Sequence, residues 1–177
     1  MFRIAGAVLV LAVSSPPAVT EAPAARMLAR LAALAGDWEG TFQWSGARTG
    51  GGPLRVTYSV TGNGSAVLET LIQGGVPTMA SVYHLDGADL RVTHFCGARN
   101  QPRLKARRID EAAGAIDFAF VDVTGVGPGN PGHVEGLELR LTDDDRMTIR
   151  FVFGGGVPRA VEDIHVRRVA AAAARSL

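Results

Sequence analysis

One cysteine, Cys96, occurs in 177 residues. No disulfide can form within the chain, so its stability must rest on a packed core. An excess of charge is missing too. Lys and Arg number 18 against 17 Asp and Glu, a net charge of +1, which removes the bulk electrostatic case for a nucleic-acid binder. There is no Walker lysine motif, no G-x-S-x-G and no H-E-x-x-H, so the usual signatures of nucleotide hydrolysis, serine hydrolases and zinc proteases are not present. The glycine runs at 50–52 and 154–156 are followed by no helical pattern. They offer no helix N-terminus to a phosphate and read as turns at a rim. What remains is ordinary globular composition, 47% hydrophobic and 20% charged, enough for one domain with a real core.

The first residues read as a secretory leader. Arg3 supplies a positive start, Ile4 to Val13 an apolar stretch, Pro16-Pro17 a break, and Ala22-Pro23-Ala24 a small-residue cleavage site. The apolar stretch is about half the length of a membrane-spanning helix. A signal peptide over 1–24 and export to the periplasm or beyond are therefore expected, with a cytosolic N-terminal helix as the alternative. No cysteine lies near the cleavage point to carry a lipid.

After the leader, Met27, Leu28, Leu31, Leu34 and Ala35 recur at three- and four-residue steps, the pattern of a short amphipathic helix, with Gly36 as its stop. Beyond it the apolar residues alternate in steps of two. Ten strands are predicted, over 37–45, 54–61, 65–73, 78–86, 88–96, 102–110, 115–123, 133–142, 146–153 and 159–169, with turn chemistry between them, such as Gly62-Asn63-Gly64 and Asp86-Gly87. Ten short sequential strands make an antiparallel meander, which closes into a barrel or splits into a Greek-key sandwich. Closure removes exposed edges and leaves room inside for a small ligand. The expected fold is all-β: a ten-stranded up-and-down barrel over 25–170, plugged at one end by the N-terminal helix, with a frayed tail at 171–177.

The stretch LARLAALAGDWEGTF, a short helix followed by Gly36-x-Trp38-x-Gly40, resembles the start of calycin-type barrels: lipocalins, fatty-acid-binding proteins and nitrobindins. The physical logic is that glycine lets the chain turn from helix into strand while Trp38 closes the barrel base with its large apolar area. Ten strands fit the fatty-acid-binding and nitrobindin branches better than the eight-stranded lipocalins. The nitrobindin resemblance implies haem held by a histidine on the last strand, and His165 stands in that position. The segment YHLDGADLRVTHFCGARNQPR departs from that pattern and looks like part of small exported bacterial proteins of unassigned function.

That segment concentrates reactive groups. Leu90, Val92, His94 and Cys96 share one strand face, mainly apolar and so expected inward. His94 and Cys96 could supply two metal ligands, but zinc needs three or four. As a nucleophile and base they stand nearly 7 Å apart along a strand, about twice its rise per residue. In GARNQPR, Asn100 and Gln101 are expected to bond backbone groups within the turn. Arg103, Lys105 and Arg107 share a face opposite Leu104, Ala106 and Arg108. That face is either solvated or turns one arginine inward to fix a carboxylate, as in fatty-acid-type barrels. Glu69, with Val67 and Leu71, reads as buried and in need of a partner. Tyr83 shares a face with Ser81, opposite His84, and could offer its hydroxyl to a ligand. His165 is exposed if Ile164 and Val166 face inward, and reaches the cavity if Val161 and Val169 do.

The functional expectation is an exported, non-catalytic barrel enclosing a small apolar or amphipathic molecule. Glu69, Tyr83, His94, Arg103 and His165 are its candidate polar contacts, and Trp38 closes its base. Two alternatives stand beside it: a haem protein using His165, and a small enzyme using His94 with Glu69 or Cys96. No catalytic or metal site is assigned, and no nucleic-acid partner or stable membrane insertion is expected once the leader is removed.

Overall fold

The computed structural model describes residues 21–170. Most of the expected leader and the 171–177 tail lie outside the described residues. The Ala22-Pro23-Ala24 cleavage residues stand at the start of helix α1 (Pro23–Ala32), where proline occupies the first helical turn and its missing N–H costs nothing. Met27, Leu28 and Leu31 are buried on one face of α1. Burying side chains of this size contributes about 1.5–3 kcal/mol each. The helix ends at Ala32, earlier than its apolar periodicity suggested. Gly36, expected as the stop, instead opens the first strand, with φ +127°, a conformation that glycine adopts without strain.

Ten strands follow: β1 (Gly36–Gly46), β2 (Gly51–Thr61), β3 (Ala66–Gln73), β4 (Val76–Asp86), β5 (Asp89–Phe95), β6 (Gln101–Asp110), β7 (Ala115–Thr124), β8 (His133–Leu141), β9 (Arg146–Gly154) and β10 (Ala160–Arg168). Each pairs antiparallel with its neighbours in sequence, and β1 pairs also with β10, so the barrel is closed. The sandwich alternative is excluded by that last ladder, which runs from Trp38↔Arg168 to Gly46↔Ala160. Gly40 makes the seam close-fitting: a Cβ there would lie 1.9 Å from the His165 carbonyl oxygen.

The two ends differ. Helix α1 covers one of them. Trp38, fully buried, donates its indole N–H to the Leu34 carbonyl at 2.9 Å and meets Tyr58 edge-on at 6.3 Å. Arg168 lies over its ring at 4.5 Å and donates to the carbonyls of Ala33 and Ala35, satisfying groups freed where the helix ends. Arg26 clamps the helix to the β6–β7 turn through both oxygens of Glu111, each at 2.7 Å. The other end is a mouth rimmed by turns that carry Gly50, Gly155 and Gly156 at positive φ.

On β6 the alternation breaks. The register shifts between Ala106 and Arg108, so Arg108, expected on the Leu104 face, swings out to Asp110 at 3.1 Å. Ile109 packs against the core in its place. A bulge reverses the side-chain phase in this way.

Candidate functional site

Four neighbouring strands carry one polar residue each at the same level of the interior. The registers Tyr58↔Glu69, Glu69↔Ser81 and Ser81↔His94 place them side by side from β2 to β5, and all four are buried. Glu69 accepts from the Tyr58 hydroxyl at 2.6 Å, the Tyr83 hydroxyl at 3.0 Å and Ser81 Oγ at 3.0 Å. Burial pushes its pKa up and the three hydroxyl donors pull it back, with a net rise. Both tyrosine hydroxyls are held well above their ordinary range, by burial first and by the Glu69 charge second.

Ser81 Oγ also lies 3.0 Å from His94 Nδ1. The serine has one proton, already directed to Glu69, so its oxygen accepts from Nδ1–H. That assignment leaves Nε2 as the unprotonated nitrogen of a neutral ring. Nε2 is buried and has no hydrogen-bond partner among the described residues. Burial lowers the His94 pKa to about 3, and its ring packs on Phe151 at 4.6 Å.

Phe151 is also part of the wall of a pocket at the mouth, about 160 Å³ in volume. Trp44, Met79, Cys96, Val134 and Phe153 complete its apolar wall, and Gln73, Arg48 and Glu162 bring polar groups to it. Glu162 projects inward from β10 opposite Trp44 on β1 and Phe151 on β9. It is 1% exposed. Its one hydrogen bond among the described residues is a long one, 3.4 Å from the Gln73 amide. Burial raises its pKa to about 7, against the opposing pull of that amide and of Arg48. Arg48, on the β1–β2 turn, lays its guanidinium over Phe153 at 3.9 Å and Trp44 at 4.8 Å. A wider hollow of about 700 Å³ lies elsewhere, along β1, β2 and the β3–β4 turn, lined in part by Glu39, Arg55 and Arg167. No buried polar group is among the residues that line it.

The expected site residues divide accordingly. Glu69, Tyr83 and His94 meet inside the barrel, and Trp38 closes its base. Two others do not reach the interior. Arg103 lies on the outer face, bonded to Asp122 at 2.5 and 2.8 Å, because Leu104 takes the inward phase of β6. His165 also faces outward, its Nδ1 3.3 Å from Thr148 Oγ1, because Ile164 and Val166 are the buried residues of β10. The haem expectation tied to His165 therefore fails: the side chain is outside the wall, and the mouth pocket has the volume of a site for benzene rather than a macrocycle. Among the described residues no group of three His, Cys, Asp or Glu side chains is brought together to hold a metal, so His94 and Cys96 acquire no third ligand. Cys96 forms part of the pocket wall, its thiol pKa pushed up chiefly by burial, which works against nucleophilic use.

Asn100 and Gln101 bond across loops and not within their own turn. Asn100, fully buried, donates to the Gly132 carbonyl at 2.8 Å, and Gln101 accepts from Thr124 Oγ1 at 3.0 Å. Asn130 donates to the Ala98 carbonyl as well. The turn after β5 and the glycine-proline loop before β8 are thereby joined beside the mouth.

Three contributors were not anticipated: Tyr58, Arg48 and Glu162. Strand alternation carried a signal for Glu162, since the face of Ile164 and Val166 extends back to it. Tyr58 needed the β2–β3 register, and Arg48 needed the path of a turn.

No family model matches this chain. No curated protein matches it either. Its fold is similar to that of the crystal structure of Rv2717c from M. tuberculosis, at 15% identity and a TM-score of 0.54, covering 81% of this chain and 97% of that one. At that identity the likeness carries the barrel and nothing about a ligand.

Proposed function

We propose that the chain is a calycin-like, exported binding barrel that takes a small, largely apolar molecule into its mouth, without catalysis. The observation that carries this reading is the pocket of about 160 Å³ opposite α1, walled by Trp44, Phe151 and Phe153 and holding one buried carboxylate. An apolar wall supplies affinity and a single polar group sets orientation. Sites for drug-sized ligands run about 300–1,000 Å³, so this pocket suits a single ring or a short branched chain. The Asn100 and Asn130 bonds between the flanking loops support a mouth that is formed before ligand arrives.

The test is a titration with benzyl alcohol followed by backbone amide NMR. Shifts confined to Met79, Cys96, Val134 and Phe153, and abolished in Ala98→Phe, are expected. Shifts scattered over the outer wall, or unaltered by the filled mouth, would overturn the reading.

A second reading, an acid–base enzyme, is favoured by one observation: the Glu69–Ser81–His94 line ends on a buried, unpartnered nitrogen. Turnover of a carbonyl or ester panel that disappears in His94→Gln, with benzyl alcohol binding intact, would support it. A panel with no turnover by the native chain would end it.

A further inference from the structure

We propose that the mouth pocket selects a small organic cation, an ammonium or guanidinium on an apolar body, with Glu162 as its counter-ion and Arg48 as the group it displaces. The proposal rests on the small-molecule reading above and names the ligand class for that same pocket.

The wall already holds a cation. The Arg48 guanidinium lies across Phe153 and Trp44, and aromatic faces attract such a group through their negative quadrupole. Arg48 belongs to an exposed turn, so a cation arriving from solvent competes with a side chain that keeps its hydration when it swings away. Beneath it sits Glu162. A buried carboxylate is stable when paired with a cation or fully hydrogen-bonded. Glu162 is neither: its contact is the 3.4 Å amide of Gln73, and among the described residues no basic group lies within ion-pair distance of it. A ligand anion would meet this carboxylate in a confined space. A neutral ligand without a donor would bury it further with no partner, and a hydroxyl would offer it one hydrogen bond but no opposite charge. An ammonium or guanidinium completes a charge-assisted pair while its apolar body fills the space beside Met79 and Val134.

A pH signature follows. The charged or titratable groups that face Glu162 are Arg48 from the β1–β2 turn and Cys96 at the end of β5; β1, β3 and β9 present Trp44, Gln73 and Phe151. The carboxyl titrates near 7 in the free protein. A bound cation favours its ionised form, so affinity rises from pH 5.5 to pH 8 and binding near pH 7 releases a fraction of a proton.

The experiment compares benzylamine, benzyl alcohol and benzoate by calorimetric titration into the native chain at both pH values. Benzylamine is expected to bind about ten-fold more tightly than the alcohol at pH 8, with the gap narrowing at pH 5.5. Glu162→Gln should close the gap between amine and alcohol, with a native-like backbone amide NMR spectrum reporting that the variant is folded. Arg48→Ala should tighten the amine. Equal binding of amine and alcohol at both pH values by the native chain, or benzoate as the tightest of the three, would overturn the cation assignment and leave the pocket standing. Binding of none of the three would remove the pocket and its selectivity together.

Discussion

Among the described residues three carboxylates are buried; Asp117 is ion-paired with Arg140 at 2.6 Å, and the other two, Glu69 and Glu162, are treated differently. Glu69 stands at mid-barrel and receives three hydroxyl donors from three different side chains. Glu162 stands under the mouth with one long amide contact and a guanidinium that faces it without pairing. A carboxylate surrounded by fixed donors is a structural element, since its neighbours need it as much as it needs them. A carboxylate left short of partners beside a cavity is poised to take one from outside. The comparison separates what holds the barrel together from what the barrel can bind.

The sharpest way to break it is Glu69→Ala. Removing the acceptor strands three buried hydroxyls and opens a void, a loss of about 3–5 kcal/mol by denaturant unfolding. If that variant unfolds at the same denaturant concentration as the native chain, the network is not structural. Next in size is the acid dependence set by His94. Its folded pKa of about 3 lies below its ordinary value of 6.5, so the unfolded state takes up a proton first. The stability that neutral His94 contributes is complete above pH 6.5 and is lost as pH falls toward 3, by about 1.4 kcal/mol per unit. His94→Gln should flatten that part of the profile; an unchanged slope would show that Nε2 meets solvent.

Glu162 gives a dependence of opposite sense and smaller size. Its pKa is raised to about 7, so folding favours the protonated form. Its contribution is complete below the unfolded value near 4.5 and is lost as pH rises through 7. Glu162→Gln, which never ionises, should gain about 2 kcal/mol more over the native chain at pH 8 than at pH 5. Equal gains at the two pH values would mean that Glu162 is already paired, and the contrast with Glu69 would fail.

Most of the barrel was legible in the sequence because two-residue alternation is a dense signal, repeated in every strand. Ile164 and Val166 follow from it once one face is known to be buried. Phase is harder. The bulge at Ala106–Arg108 reverses the side chains of β6 halfway along, and no residue in PRLKARRID announces it. The site was legible only in part. Glu69, Tyr83 and His94 stood out as polar residues on apolar strands. That Glu69 and His94 share a level with Tyr58 and Ser81, with Tyr83 two residues further along β4, depends on the register of four strands, which a single sequence does not contain. Arg48 depends on a turn folding back over the mouth, a tertiary event with no local pattern. His165 and Arg103 drew attention by residue type, and the buried phase of their strands decided against both.

Those two residues make the smallest expected effect and a control for the whole comparison. Arg103 pairs with Asp122 and His165 touches Thr148, both on the solvent side of the wall. Exposed pairs of this kind are screened by water and salt and add little to stability. Arg103→Ala and His165→Ala should each melt within about 2 °C of the native chain. Both should also leave benzylamine and benzyl alcohol affinities unchanged, because neither side chain reaches the interior. A loss of ligand binding in either variant would place the site on the outer wall and make Glu69 and Glu162 alike in function, both serving the fold.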